Sequence, residues 1–269
     1  MGDTLSLSLT ELLAEPTSGR RRAVVLDSHD YAQSVFLQGK PVPWQEPMAY
    51  ANFFGQVQGV LESDLALLSL DRFYAQRVAG DPTLQAAMSA KSRTGYALRT
   101  LLTDAATTAF VIELATIFSQ TQRVPVVLQI PSPMQWLART HPFSESADVS
   151  GLDADSAENA SMYVADWLRG FAALPLMAVL LDDRGPALGP VPLSTYSPIA
   201  NVTDHYRWAL AQRHEDRVEL HGSALRGAVI GADFWSSDSG TLPDGDFLVG
   251  EVPQHAVPER VLSRITALV

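Results

Sequence analysis

The sequence predicts an α/β fold: one (β/α)8 barrel of the TIM type over residues 23–269, preceded by a lead-in at residues 1–22. Three observations carry this. Eight short apolar runs alternate with helix-periodic segments, which implies βαβ units and a parallel sheet. The length, 269 residues, suits a single barrel of roughly 250 residues. And each apolar run closes on a polar or ionisable residue, the place where barrel enzymes keep their chemistry. Short or missing helices are expected after strands four, six and seven, where the connections leave little room.

The elements follow in order. In the lead-in, Leu5–Leu13 reads as a short helix. Ala23–Asp27 is a first buried strand by its length and β-branching, followed by a polar loop, Ser28-His29-Asp30. After the Pro-rich loop Gly39–Pro47, Met48–Leu61 carries apolar residues at helical spacing. Asp64–Leu70 is a second strand, ending at Asp71. Asp81–Gln120 is helical, opened by the Asp81-Pro82 cap pair and divided at Gly95. Val124–Ile130 is a third strand, stopped by Pro131-Ser132-Pro133. Met134–Thr140 is a short helix. The loop His141–Asp155 is long enough to be a lid or a mobile segment. Ser156–Phe171 is an amphipathic helix and Leu176–Leu181 a fourth strand. Val191–Tyr196 reads as the fifth strand and Ile199–Arg213 as the helix after it. Val218–His221, Ala228–Phe234 and Phe247–Glu251 are strands six to eight, and Val257–Leu268 is the closing helix.

Composition narrows the function. Hydrophobic residues make up 46% of the chain, ample for a core, and the net charge of −11 repels a nucleic-acid backbone. The chain has no cysteine, which removes disulfides, thiolate metal sites and cysteine nucleophiles. Lysine occurs only at Lys40 and Lys91, neither on a strand end, so Schiff-base chemistry has no well-placed candidate. No apolar stretch is long enough to span a bilayer, and no leader pattern opens the chain. The expectation is a cytoplasmic protein without membrane or nucleic-acid partners, acting on a small molecule, with a homodimer as the default assembly. No Gly-x-Gly-x-x-Gly, Walker loop or Gly-x-Ser-x-Gly elbow occurs, so neither a nucleotide cofactor nor a serine nucleophile is signalled.

The expected strand ends supply the candidate site. Asp182, Asp183, Tyr196, Glu219 and His221 are the acid/base candidates. Asp27, His29, Gln129, Trp136, Ser194, Asp233, Trp235 and Glu251 would line the substrate site, Trp136 and Trp235 as apolar walls. Adjacent strand residues point to opposite faces, so one of Asp182 and Asp183 faces the mouth and the other pairs locally with Arg184. An acidic ring favours neutral or cationic ligands. His29 and His221 with nearby carboxylates would form a metal set; the reading without a cofactor or metal is preferred, since neither spacing is a metal signature.

Several of these segments resemble the catalytic barrel of cobalamin-independent methionine synthase, a relative of uroporphyrinogen decarboxylase. Leu180–Pro186 resembles that family's strand ending in Asp-Glu-Pro, and Val126–Pro133 its strand leading into Gly-Pro. Val191–Asn201 resembles the strand ending in His-x-Cys, Val218-Glu219-Leu220 the strand carrying a glutamate, and Gly227–Ser236 the segment that follows. The resemblance implies a barrel whose His, Cys, Glu and second Cys bind zinc. Here Ser194 and Tyr196 stand at the first two positions, Glu219 at the third, and Gly250-Glu251 replaces the last. Serine and tyrosine are poor zinc ligands beside cysteine and histidine, so methyl transfer to a thiol is unsupported. The expected function is therefore metal-free acid/base catalysis of lyase, cyclase or isomerase type. The alternatives are a ligand- or partner-binding barrel without catalysis, and a metal-dependent transferase or hydrolase using His29 and His221.

Overall fold

The computed structural model describes residues 7–144, 148–185 and 189–268. The fold is α/β, with an eight-stranded, mostly parallel, barrel-like sheet in the order β1-β8-β7-β6-β5-β4-β3-β2. The strands are β1 (Val24–Asp27), β2 (Ala66–Ser69), β3 (Val126–Pro131), β4 (Leu176–Asp182), β5 (Ala209–Arg213), β6 (Arg217–Leu220), β7 (Arg226–Ile230) and β8 (Phe247–Glu251). Every residue of β1 and β3 is buried, as parallel strands covered on both faces require. The first and last strands of that order meet at a parallel bridge, Val25 to Leu65. There Asp64 donates its N–H to the Val24 carbonyl at 2.8 Å, and its carboxylate accepts the Val24 N–H at 2.8 Å.

The helices are α1 (Leu9–Ala14), α2 (His29–Val35), α3 (Pro47–Leu61), α4 (Asp71–Gly80), α5 (Pro82–Met88), α6 (Tyr96–Leu102), α7 (Ala105–Thr121), α8 (Pro133–Thr140), α9 (Ala154–Leu168), α10 (Ser197–Tyr206), α11 (Ala232–Ser236) and α12 (Pro258–Thr266). Their starts follow local chemistry. Ser8 and Glu11 form a capping box on α1. Asp81 accepts the Leu84 N–H with Pro82 in the first turn, as the sequence predicts. Ser132 caps α8 by accepting the Gln135 N–H. Gly95 begins α6 at φ +80°, a backbone shape that only glycine adopts without cost. The expected helix Leu5–Leu13 starts at Leu9; residues 5 and 6 lie outside the described residues. Of the long loop 141–155, residues 145–147 also lie outside them; His141–Ser144 is a 3-10 turn and α9 begins at Ala154.

Two expectations are corrected. Val191–Tyr196 is not a strand. Leu193–Tyr196 is a 3-10 turn entering α10, and the fifth strand is Ala209–Arg213, within the segment read as helix. Pro190 and Pro192 lack the N–H groups that a central strand needs. Ala, Leu, Gln and Arg favour helix, but burial beside β4 overrides that preference, with Ala178 to Asp182 paired in parallel to Ala209 to Arg213. Arg207, at φ +59°, ends α10 and turns the chain into β5. A helix therefore follows β4, and the helix-poor arc runs from β5 through β7. The second correction concerns β6, which runs antiparallel to β7. Only five residues, 221–225, join them, whereas a parallel pairing needs a crossover of a dozen or more.

The chain divides into two compact units. One comprises residues 1–67, 117–127 and 216–269, the other residues 68–116 and 128–215. The first packs Tyr50, Phe54, Val57 and Leu61 of α3 and carries β1, β6, β7 and β8. The second has an aromatic core: Trp136 lies edge-on to Tyr74 at 5.1 Å and to Trp167 at 5.6 Å, and Trp167 meets Phe171 at 4.6 Å. Trp136 is thus core rather than a wall of the substrate site, because α8 turns its ring toward α4 and α9. Among the described residues no single helix is long and apolar enough to cross a membrane.

Candidate functional site

In the second unit the C-terminal ends of β2 to β5 converge on one polar cluster. The Ser132 N–H bonds the Asp182 carbonyl at 2.8 Å, and the Asp183 N–H bonds the Arg213 carbonyl at 2.9 Å. Ser132, Asp183 and His214, each one residue past its strand, are thereby brought together. The Ser132 hydroxyl donates to Asp183 Oδ1 at 2.5 Å, the distance of a charge-assisted bond. The other carboxylate oxygen lies 3.8 Å from His214 Nδ1. Gln135 donates through Nε2 to the Asp183 carbonyl at 3.2 Å. Gln212 donates to the Val191 carbonyl at 3.0 Å.

The cluster is dry. Ser132, Tyr196 and Gln212 are fully buried, and the Asp183 side chain is 7% exposed. Burial pushes the Asp183 carboxyl above the usual carboxylate range. The Ser132 bond, His214 and Gln212 pull it down, and neighbouring Asp182 pushes it further up. Burial also drives the Tyr196 phenol upward, reinforced by Asp183 and opposed by Ser132 and the Met134 backbone. The Tyr196 hydroxyl is near both groups yet makes no well-formed hydrogen bond. This sets a carboxyl of raised pKa beside an imidazole and a phenol, the equipment of proton transfer. It is not a hydrolase triad, since Ser132 gives its proton to a carboxylate and not to an imidazole.

Asp182 does different work. Arg184 grips it in bidentate fashion, Nε to Oδ1 at 2.9 Å and Nη2 to Oδ2 at 2.7 Å. Gln129, also buried, donates to Ser69 Oγ at 3.2 Å, and Ser69 donates to Asp71 Oδ1 at 2.9 Å. Ser194 is exposed on the 3-10 turn before α10, while Tyr196 at the end of that turn is buried.

The first unit holds a second strand-end group. Asp27 and Glu251 are in register, so their side chains share a face. Asp27 accepts the His29 N–H at 3.2 Å. His29 is buried between Trp44 and Phe54, with ring centroids at 5.3 Å from each, and its Nδ1 lies 3.4 Å from Asp30. Glu219 and His221 do not belong there. Because β6 is reversed, they sit beside the start of β7, at the opposite end from Asp27 and Glu251. Glu219 pairs with Arg217 at 2.8 Å and His221 is exposed. His29 and His221 are thus separated along the strand direction, and among the described residues no three His, Asp or Glu side chains converge to hold a metal. Asp233 is exposed on α11 rather than at a strand end, because Gly231 caps that helix. Trp235 is fully buried.

The sequence reading missed Ser132 and His214 as site residues, and with them Gln135 and Gln212. Ser132 had a legible signal, a helix-cap serine before proline directly after a buried strand. His214 had none, since its strand carries a helix-favouring composition. No family model matches the chain, and comparisons with curated proteins and with solved structures return no match.

Proposed function

We propose that this chain is a small-molecule enzyme working by proton transfer, of lyase, cyclase or isomerase type, with Asp183 giving and taking the proton. The observation that carries the reading is the setting of Asp183: a buried carboxyl just past a strand end, raised by desolvation, bonded to Ser132 and flanked by His214 and Tyr196. A carboxyl moved toward neutrality works as acid and base at ordinary pH. Ser132 and Gln135 orient it. His214 holds or passes the second proton. The resemblance to the methionine-synthase-like barrels supports the same place, since the segments at 126–133 and 180–185 both end in this cluster. The family's zinc does not fit here: Ser194 is exposed, and Glu219 is paired with Arg217 at the far end from Glu251.

Deuterium uptake tests the proposal. In D2O the chain is offered candidate substrates with acidic C–H bonds, and exchange is followed by proton NMR. The wild type is expected to catalyse exchange into its substrate, and Asp183→Asn to slow it by about 100-fold or more. Unchanged exchange in Asp183→Asn sinks the proposal and favours a ligand- or partner-binding barrel.

A further inference from the structure

The aspartates around this cluster are matched by arginines. Asp182 is clamped by Arg184. Asp71 is shared by Arg72 at 3.5 Å and Arg139 at 3.8 Å, and it already accepts from Ser69. Arg139 donates to the Arg184 carbonyl at 3.5 Å, and its side chain is 39% exposed. A guanidinium carries five N–H donors in a planar fork that fits a carboxylate or phosphate, and at this exposure part of the Arg139 fork reaches solvent. Arg213, fully buried, is in register with Asp182 and adds positive charge on the same face. At this rim four arginines, Arg72, Arg139, Arg184 and Arg213, stand among three aspartates, Asp71, Asp182 and Asp183, and burial raises the Asp183 carboxyl. In a chain of net charge −11, this end is locally positive.

We propose that the rim is an anion-binding subsite and that the substrate carries a carboxylate or phosphate held by Arg139, with Arg72 and Arg184 beside it. The inference rests on the reading of Asp183 as the proton-transfer residue, and it reverses the expectation that an acidic ring selects neutral or cationic ligands. The acids are neutralised by their partners, and the exposed donors are guanidinium N–H groups. Arg139 bonds the carbonyl of Arg184, the residue after Asp183, so an anion anchored there would lie beside the turn that carries the proton-transfer carboxyl.

Isothermal titration of the full chain with inorganic phosphate and with malonate, at an ionic strength held constant by sodium chloride, tests this. One of the two anions is expected to bind with a Kd of about 1 mM or tighter. Arg139→Gln should weaken it by about 10-fold or more, and Arg139→Lys, which keeps charge but loses the fork, by less. Arg169→Gln, at the exposed arginine that follows α9, serves as the control and should leave binding unchanged. Preference for phosphate assigns a phosphate ester; preference for malonate assigns a carboxylic acid. The subsite is overturned if neither anion binds beyond the chloride background, or if an Arg72→Gln/Arg139→Gln double variant binds like the wild type. Circular dichroism confirms that each variant is folded, and Arg139→Lys keeps the test decisive if Arg139→Gln is not. Asp183→Asn should keep anion binding, so a failure of the proton-transfer reading and a failure of the subsite are read separately.

Discussion

Asp183 and Ser132 form the pair on which the residue scale turns. Ser132 lowers the carboxyl that burial raises, so Ser132→Ala should move Asp183 further up. It should also cost about 1–3 kcal/mol, the loss of a hydrogen bond to a buried carboxyl; urea unfolding and carbon-13 NMR of the aspartate carboxyls check the two effects. The raised pKa also sets a pH dependence. The folded chain holds this proton more tightly than the unfolded chain. Its contribution to stability is therefore present in full below the ordinary carboxylate value and is lost as pH rises through the folded one. Asp183→Asn should remove that loss, so the wild-type melting temperature falls across the interval relative to the variant; parallel curves for the two would contradict it. Asp182 was an equal candidate in the sequence. Spacing alone cannot tell which of two neighbouring aspartates an arginine two residues on will clamp.

At the scale of elements, the turn after β4 holds the cluster in place. Gly185 lies so close to Gln135 that a Cβ there would collide with its side-chain carbonyl oxygen. Gln135 in turn bonds the Asp183 carbonyl. Gly185→Ala should therefore push the end of the Gln135 side chain off the Asp183 carbonyl, destabilise the chain by only about 1 kcal/mol, the loss of one hydrogen bond, and reduce deuterium exchange; normal exchange in that variant would show that Gln135 does not position the site. The strand β5 brings His214 to Asp183, and it is the element that sequence reasoning placed least well. Ala209–Arg213 looks helical because alanine, leucine, glutamine and arginine carry that preference. Its strand state comes from pairing with β4, a contact between residues about thirty positions apart.

On the scale of the whole molecule, the reversed β6 decides which expected residues take part. Glu219 and His221 were acid/base candidates because every strand was expected to run the same way. Antiparallel pairing with β7 carries them to the opposite end from Asp27 and Glu251. Glu219→Gln and His221→Ala are therefore expected to leave proton exchange within about 2-fold of wild type, since surface changes away from a site are usually near neutral; a loss on the scale of Asp183→Asn would place β6 in the site after all. The short connection after the sixth strand was visible in the sequence and carries the reason, because 221–225 is too short for a parallel crossover; that 214–216 joins two strands emerges only with β5 in place.

The alternation of apolar runs, the caps at Asp81 and Gly95 and the absence of cysteine are properties of the chain itself. From them follow the α/β class, seven of the eight strands in approximate place, and the exclusion of thiolate chemistry, because periodicity, caps and composition act locally. Tertiary structure alone decided the fifth strand and the meeting of Ser132, Asp183 and His214. Those depend on which distant segments pair, and the free energy of burying a strand between neighbours exceeds the few tenths of a kcal/mol per residue by which local propensity favours a helix.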